Sequence, residues 1–260
     1  MEFTALFLCT VALIYGLLIG SFLNVCIWRI PKGESILSLP SHCTTCGNKI
    51  RWYDLVPVFS YLFLKGRCRS CKALISIFYP LVELLNGICY LLIFLADESL
   101  WERGIPSPDS LLLCLLSSAL LVISGIDFKT YEIPPQCNAF ILLLGLVRTL
   151  LDLESFTDHL LGFVCVSGFL YLLYLLSRGQ AIGGGDIKLM AAAGLFLGWQ
   201  ESILAFFLGC IFGSVFHLIR MKLKGADHVL ALGPYLSLGI FIAVLYGQKL
   251  VSAYAGLAGL

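Results

Sequence analysis

Residues 4–28 read TALFLCTVALIYGLLIGSFLNVCIW, a run of 25 residues without a charged side chain. About 20 apolar residues are enough for a helix to cross the roughly 30 Å hydrocarbon core of a bilayer. This run therefore predicts a membrane-spanning helix. Only Met1, Glu2 and Phe3 precede it, without the positive charge that opens a cleaved signal peptide, so we expect the helix to be retained.

The rest of the chain has the same character. Of its 260 residues, 59% are hydrophobic and only 13% are charged, whereas soluble domains carry about 25% charged residues. This composition excludes a soluble globular domain and a disordered chain, and a net charge of +1 provides no basic surface for nucleic acid. We expect an all-α integral membrane protein with about eight transmembrane helices, at residues 4–28, 75–96, 108–126, 138–151, 159–177, 186–199, 202–219 and 230–248. The fourth and sixth segments are short, which indicates tilted interior helices or partly re-entrant ones.

One polar stretch interrupts the apolar segments. Residues 29–74 hold 8 of the 17 Lys and Arg residues and 4 of the 11 cysteines. We expect three parts: a first transmembrane helix at 1–28, a small loop domain at 29–74, and a seven-span membrane domain at 75–260. Lys and Arg accumulate on the cytoplasmic side of membrane proteins. A cytoplasmic loop places 14 of the 17 on that side, so we expect the loop to be cytoplasmic and both termini external.

The loop contains two Cys-x-x-Cys motifs, Cys43 with Cys46 and Cys68 with Cys71, separated by 21 residues. Two such knuckles at this spacing are typical of a tetrahedral zinc site with four cysteine ligands. Four thiolates leave no position for water, so the zinc would be structural. Disulfide or redox chemistry is the alternative, which a reducing cytoplasm disfavours.

Three carboxylates, those of Glu83, Asp127 and Asp186, are expected at membrane depth, where acids are costly and mark functional sites. Asp127 ends the third apolar segment and Asp186 opens the sixth, which places both at the cytoplasmic end of their helices. Two carboxylates a few ångströms apart cannot both ionise, so one keeps a proton while the other activates a shared water, as in aspartic proteases. The alternatives are a helix N-cap for Asp186 and an interfacial loop position for Asp127.

Five further residues are predicted to support this site. Three of them are the consecutive glycines before Asp186. Glycine has no Cβ, so an extended substrate backbone can approach closely. No Gly-Lys-Ser/Thr follows them, which excludes a phosphate-binding P-loop. The other two are lysines, whose side chains either keep a nearby aspartate ionised or extend to lipid headgroups. The five are Gly183, Gly184 and Gly185 before Asp186, and Lys129 and Lys188, each two residues after an aspartate.

These residues resemble those of the type IV prepilin peptidase family, whose members are bacterial inner-membrane enzymes. The resemblance extends over about 215 residues in the family's order. Its blocks are Gly20–Pro31, the paired Cys-x-x-Cys motifs with Ser60-Tyr61-Leu62 between them, Ile75-Ser76, Tyr79–Glu83, Ile126-Asp127 with Ile133-Pro134, the GxGD motif ending at Asp186, and Gly233-Pro234-Tyr235. One departure is Pro135, where the family usually has aspartate.

The resemblance implies a bifunctional enzyme. Asp127 and Asp186 would cleave the leader from prepilin or pseudopilin precursors after a glycine, and the new amino terminus would be methylated from S-adenosylmethionine. It places the methylation near the cytoplasmic loop and the second span. Candidates for binding S-adenosylmethionine are Asp54 and Glu83, although both positions also suit helix capping.

Two other functions remain open from the sequence. A protease-only GxGD enzyme would cleave within a membrane span and lack methyltransferase activity. A transporter or assembly scaffold would use the aspartates as ion sites and cleave nothing.

Overall fold

The structure, a computed structural model, describes residues 2–37, 40–224 and 230–258. Within these ranges it contains α-helices and short 3-10 turns but no β-strand, and the two isolated β-bridges pair His42 with Lys49 and Arg67 with Leu74. The helices are α1 (Glu2–Arg29), α2 (Phe59–Phe63), α3 (Phe78–Ala96), α4 (Glu98–Arg103), α5 (Pro108–Thr130), α6 (Pro135–Leu151), α7 (Phe156–Leu176), α8 (Gly184–Leu197), α9 (Trp199–Lys224) and α10 (Gly233–Ala258).

Each of the eight predicted apolar segments consists mainly of helix, with non-helical residues only at segment ends such as 75–77 and 230–232, in agreement with the all-α prediction. Six of these helices, α1, α3, α5, α7, α9 and α10, are long and apolar enough to cross a membrane. The fourth and sixth segments form α6 and α8, which have only 17 and 14 residues. At 1.5 Å per residue, α8 extends only about 21 Å. The structure therefore supports a multi-pass protein with six full-length candidate spans, and the predicted number of eight is not confirmed.

Residues up to Val122 form one compact unit and residues from Ile123 form another, with the boundary inside α5. In the first unit, α1 packs closely against α3 because glycines face the contact. A Cβ at Gly20 would lie 2.6 Å from the Cα of Glu83, and one at Gly16 would lie 2.8 Å from the Cα of Gly87. Small residues four apart allow helix backbones to approach in membranes. Across the same contact, the side-chain amide of Asn24 donates to the Tyr79 carbonyl at 3.0 Å.

In the second unit, the short helix α8 is an interior element. Almost every residue from Leu189 to Gly198 is buried, and α8 packs against α6, α7 and α9. A helix surrounded by other helices does not need the full length of a membrane span. This position accounts for the short sixth segment of the sequence.

The chain makes tight turns where α5 and α7 end. Tyr131 has φ +57° and its N–H donates to the carbonyl of Asp127, which closes the last turn of α5. After α7, Arg178 and Gly179 both have positive φ, and the N–H of Gly179 donates to the Tyr174 carbonyl. These turns place Asp127 in the last turn of α5 and the glycine run at the start of α8.

The close approach of α1 and α3 can be tested with Gly20→Ala. The added Cβ would press on the Glu83 backbone, and such overpacking costs about 1–3 kcal/mol. We expect the midpoint of thermal unfolding in detergent, followed by circular dichroism, to fall by several degrees. The control is Gly168→Ala in α7, where the nearest atom would lie 3.6 Å away. That variant should be neutral or slightly stabilised, and equal behaviour of the two variants would contradict the prediction.

Candidate active site and candidate metal centre

Asp127 is held at the end of α5 by the start of α10. Its side chain is 4% exposed, and the backbone N–H of Gly233 donates to Asp127 Oδ2 at 2.9 Å. Gly233 is the first residue of α10, so its N–H is one of those that the helix leaves unpaired. A Cβ at Gly233 would lie 2.7 Å from the same oxygen, so the contact requires glycine. The alternative position of Asp127 in an interfacial loop does not occur.

Asp186 is the third residue of α8, and Gly183 is the N-cap. The backbone N–H of Gly183 bonds to the Asp186 carboxylate, as the third helical residue does in a capping box. Asp186 is therefore not itself the N-cap, which was the structural alternative from the sequence. Each of the two aspartates thus accepts an N–H from a glycine at the start of a helix.

The two carboxylates lie close enough for their charges to interact. The segment between α5 and α6 contributes to this arrangement. A Cβ at Gly185 would lie 3.0 Å from the Cβ of Ile133, so this segment packs directly on the glycine run. Asn138, in the first turns of α6, donates from Nδ2 to the Gly185 carbonyl at 3.4 Å. These contacts bring the Ile-Pro motif and the GxGD motif together.

The other predicted supporting residues lie around this pair. Gly183 and Gly184 are exposed, and a Cβ at Gly184 would meet nothing within 4 Å. The backbone there is open to an approaching chain. The side chains of Lys129 and Lys188 are exposed.

Such a pair of carboxylates can perform acid–base chemistry on a bound water. Like charges at short distance disfavour double ionisation, so one carboxyl is a proton donor while its partner is a base. This combination hydrolyses amide bonds without a metal or a covalent intermediate.

The four loop cysteines converge in the first unit. Each offers a sulfur atom, and these atoms all lie within 4.8 Å of one another. Cys43 Sγ and Cys71 Sγ are 3.9 Å apart. A tetrahedral site with metal–sulfur bonds of about 2.3 Å has sulfur atoms about 3.8 Å apart, whereas a disulfide bond is only about 2.05 Å long. The four cysteines are free in this structure, so its geometry fits a metal ion and not the disulfide alternative.

The two knuckles have the same backbone hydrogen bonds at an offset of 25 residues. In the first, Cys43 N–H donates to the Asn48 carbonyl and Gly47 N–H to the Cys43 carbonyl. In the second, the corresponding bonds join Cys68 with Ala73 and Lys72 with Cys68. Gly47 and Lys72 occupy equivalent positions, with φ of +70° and +60°. Glycine is typical of such a left-handed position, whereas lysine is not, so the second turn is the less usual of the two.

The protonation of the thiols also fits a metal site. Backbone N–H groups of Cys46 and Thr45 lower the pKa of Cys43 from 9.0 to about 6. The Ala73 N–H acts in the same direction on Cys71, but lost hydration and the three neighbouring thiols raise the pKa of Cys71 to about 11. The Cys71 thiol therefore keeps its proton at neutral pH unless a cation replaces it.

Asp54 and Glu83, the predicted S-adenosylmethionine ligands, have different surroundings. Arg69 forms a bidentate ion pair with Asp54, at 2.6 Å between Nη2 and Oδ1 and 2.8 Å between Nε and Oδ2. This guanidinium lowers the pKa of Asp54 below its usual value. Glu83 is 9% exposed and accepts the Val58 N–H at 2.7 Å. Val58 has φ +60°, which is rare for a β-branched residue, so Glu83 stabilises an unusual turn of the loop.

Comparison with known families finds matches over the two parts of the chain that hold the candidate sites. The model described as the bacterial peptidase A24 N-terminal domain matches residues 14–96, and the model described as the type IV leader peptidase family matches residues 114–218. The first match contains the four cysteines and the second contains both aspartates. A prepilin leader peptidase/N-methyltransferase of Pseudomonas aeruginosa is 33% identical, over 98% of this chain and 95% of that protein.

The chain belongs to the type IV leader peptidase family.

Two other relatives agree with this assignment. The prepilin leader peptidase/N-methyltransferase of Pseudomonas putida is 32% identical, over 96% of this chain and 94% of that protein. The type 4 prepilin-like proteins leader peptide-processing enzyme of Escherichia coli O78:H11 is 34% identical, over 92% of this chain and 94% of that protein. No solved structure matches the chain. The family resemblance expected from the sequence is confirmed, and the protein is a membrane peptidase of this family.

Two residues of this leader peptidase were not predicted as site residues. Gly233 belongs to a motif that the sequence showed, but its hydrogen bond to Asp127 joins residues 106 positions apart. Asn138 is 6% exposed, and its Oδ1 has no hydrogen-bond partner among the described residues. The signal for Asn138 was a polar side chain close after Pro134-Pro135 in an apolar helix.

The Gly233 contact can be tested with Gly233→Ala. The methyl group would displace the Asp127 carboxylate and lengthen the hydrogen bond from Gly233 that orients it. We expect leader peptidase activity to fall by about 5- to 30-fold, the effect of losing about 1–2 kcal/mol. Activity is measured as the initial rate of cleavage in detergent. The control is Gly213→Ala in α9, where the nearest atom would be 3.5 Å away. Full activity of Gly233→Ala would show that the Asp127 position tolerates the displacement.

Proposed function

We propose that this protein cleaves the leader peptide of type IV prepilins and pseudopilins after a glycine, and then methylates the new amino terminus from S-adenosylmethionine. The single observation that carries the cleavage is the pair Asp127 and Asp186, each bonded to a glycine N–H at a helix start. The names of the relatives support the substrate class and the two activities. They favour this function over a protease without methyltransferase activity.

In the cleavage step, the ionised aspartate takes a proton from water while the oxygen attacks the glycine carbonyl carbon. The protonated aspartate supports the developing charge on the carbonyl oxygen and supplies the proton that the leaving amine needs. The C–N bond breaks and releases the leader with a new carboxylate. The exposed backbone at Gly183 and Gly184 supports pairing with the extended segment around the scissile bond.

For the second step, S-adenosylmethionine supplies an electrophilic methyl group. The residues of this chain would bind the donor, orient it and accept the proton that the terminal ammonium loses. We assign this binding to the loop at residues 29–74, with Asp54 and Glu83 as the predicted contacts. The contact of Glu83 with Val58 indicates that it acts by holding the loop.

For the cysteine cluster we propose a structural Zn2+ bound by Cys43, Cys46, Cys68 and Cys71. Thiolate donors in a tetrahedral arrangement select zinc over hard cations such as magnesium. A loop of this size cannot build an adequate core of its own, so the metal would supply its stability.

We further propose that the protein lies in the bacterial inner membrane with both sites facing the cytoplasm. The distribution of Lys and Arg supports this orientation. Lys129 and Lys188 would meet lipid headgroups or the substrate at that interface. The leader of the precursor would then remain in the cytoplasm while its apolar helix lies in the bilayer. In this arrangement residues 1–28 form the first span, residues 29–74 the zinc loop, and residues 75–260 the membrane domain with the catalytic pair.

The catalytic pair is tested by Asp127→Asn and Asp186→Asn, which keep size and remove the exchangeable charge. We expect either variant to lose leader cleavage of a purified prepilin, by more than about a thousandfold, because no other base replaces the aspartate. Cleavage is followed by intact-mass analysis. Asp152→Asn, at the end of α6, is the control and should cleave normally. Full cleavage by Asp186→Asn would refute the dyad.

The zinc site is tested by metal analysis of the purified protein. We expect about one zinc per chain, and a large loss of zinc in Cys43→Ser and Cys68→Ser. The matched control is Cys165→Ser, an exposed cysteine in α7. Limited proteolysis should cut the loop of the two zinc-site variants faster than that of the control. Unchanged zinc in both variants would contradict the assignment.

A further inference from the structure

We infer that a cavity beside the Asp54–Arg69 ion pair recognises the amino-acid end of S-adenosylmethionine, with Arg69 binding its carboxylate and Asp54 its ammonium group. This inference rests on the proposed methyltransferase activity and adds to it a site, a binding mode and a residue, Arg69, that the sequence did not indicate.

The cavity lies within the loop, between α2 and the second cysteine knuckle, and has a volume of about 220 Å³. Phe59, Phe63 and Leu64 give it an apolar wall. Tyr53 and the ion pair form its polar edge. Pockets that enclose a whole drug-sized ligand are usually about 300–1,000 Å³. This cavity therefore suits one part of S-adenosylmethionine, with the nucleoside extending beyond it.

The ion pair keeps binding capacity on both partners. Asp54 is almost fully covered, with 9% of its side chain exposed, whereas the Arg69 side chain is 51% exposed. Arg69 donates to Asp54 through Nε and Nη2, and its Nη1 group has no hydrogen-bond partner among the described residues. Asp54 Oδ1 accepts two of these N–H contacts, whereas Oδ2 accepts one and retains a further lone pair. A ligand can therefore bind both residues without breaking the ion pair.

A free α-amino acid group is complementary to such a pair. Its carboxylate can bind the outer N–H groups of the guanidinium, and its ammonium can donate to the adjacent carboxylate. The apolar wall would then contact the methylene groups that join this end to the sulfur. The Arg69 guanidinium carbon lies over the Tyr53 ring, 5.3 Å from the ring centroid, and this cation–π contact helps to hold the guanidinium in place.

The cavity is connected to the metal site through the chain. Arg69 lies between Cys68 and Cys71, so the fold of the second knuckle determines where its guanidinium points. A structural metal would thereby hold one half of the amino-acid site in place.

The first experiment uses the unchanged, zinc-loaded protein in detergent. Two probes are compared by isothermal titration calorimetry: S-adenosylhomocysteine, which has the amino-acid end, and 5′-methylthioadenosine, which lacks it. We expect S-adenosylhomocysteine to bind about 10- to 100-fold more tightly, the value of one or two charge-assisted hydrogen bonds. Equal affinities would overturn the inference without any variant.

The second experiment assigns this preference to residues. Arg69→Gln and Asp54→Asn should lose most of the preference for S-adenosylhomocysteine. Arg67→Gln, on the other side of Cys68 and outside the cavity lining, should keep it. Zinc content shows whether the knuckles of each variant have formed. Variants of Arg69 and Asp54 that hold zinc and keep the preference would overturn the inference.

The two experiments separate this inference from the proposed function. If prepilin is methylated but the probes bind equally, the inference fails and the proposed function stands. If prepilin is cut but neither methylated nor accompanied by binding of either probe, the methyltransferase half of the proposed function fails as well. Competition between S-adenosylhomocysteine and a short peptide amide with amino-terminal phenylalanine would also overturn the inference, because it would assign the cavity to the substrate amine.

Discussion

The candidate active site depends on the stabilisation of two carboxylates by the unpaired N–H groups at helix starts. Burying an acid without donors costs several kcal/mol, and the cost rises when a second acid is near. Asp127 meets the N–H of Gly233 at the start of α10, and Asp186 meets that of Gly183 at the start of α8. These donors compensate for part of the lost hydration and aim the carboxylates. Glycine is required at Gly233 because a Cβ would occupy the place of the Asp127 oxygen.

The loop of the first unit is stabilised in a different way from the pair of carboxylates. It is too small for a core, so its order comes from two knuckles that converge on four thiols, an ion pair and one buried acid. The knuckles share one hydrogen-bond pattern although their sequences differ outside the cysteines. Glu83 connects the loop to α3 through Val58, so the same residue belongs to a membrane helix and to the support of the loop. This arrangement gives a short polar segment a fixed shape next to apolar helices.

Much of the fold and of the two candidate sites could be predicted from the sequence, for physical reasons. Long uncharged runs can only be satisfied as helices in a bilayer, and the spacing of Cys43, Cys46, Cys68 and Cys71 restricts the geometries in which four sulfurs can meet. The aspartates were identified because acids are rare next to apolar segments. Gly233, Asn138 and Arg69 were not predicted in these roles, because each acts through a contact with a distant part of the chain. Six of the eight expected segments form helices that are long enough to be candidate spans in the described part of the chain, and α8 is short because burial by other helices replaces burial in lipid.

Composition and local pattern alone were sufficient to establish a helical membrane protein, the cysteine cluster and the two acids, since hydrophobic length, ligand spacing and the cost of burying charge are properties of short segments. Tertiary packing determined which N–H donors meet each carboxylate and which helices are long enough to span the membrane. It also paired Asp54 with Arg69 beside a cavity. Those features require residues from separate helices or loops to meet, and their meeting depends on the packing of whole elements at small side chains such as Gly20 and Gly185. No local pattern encodes that packing.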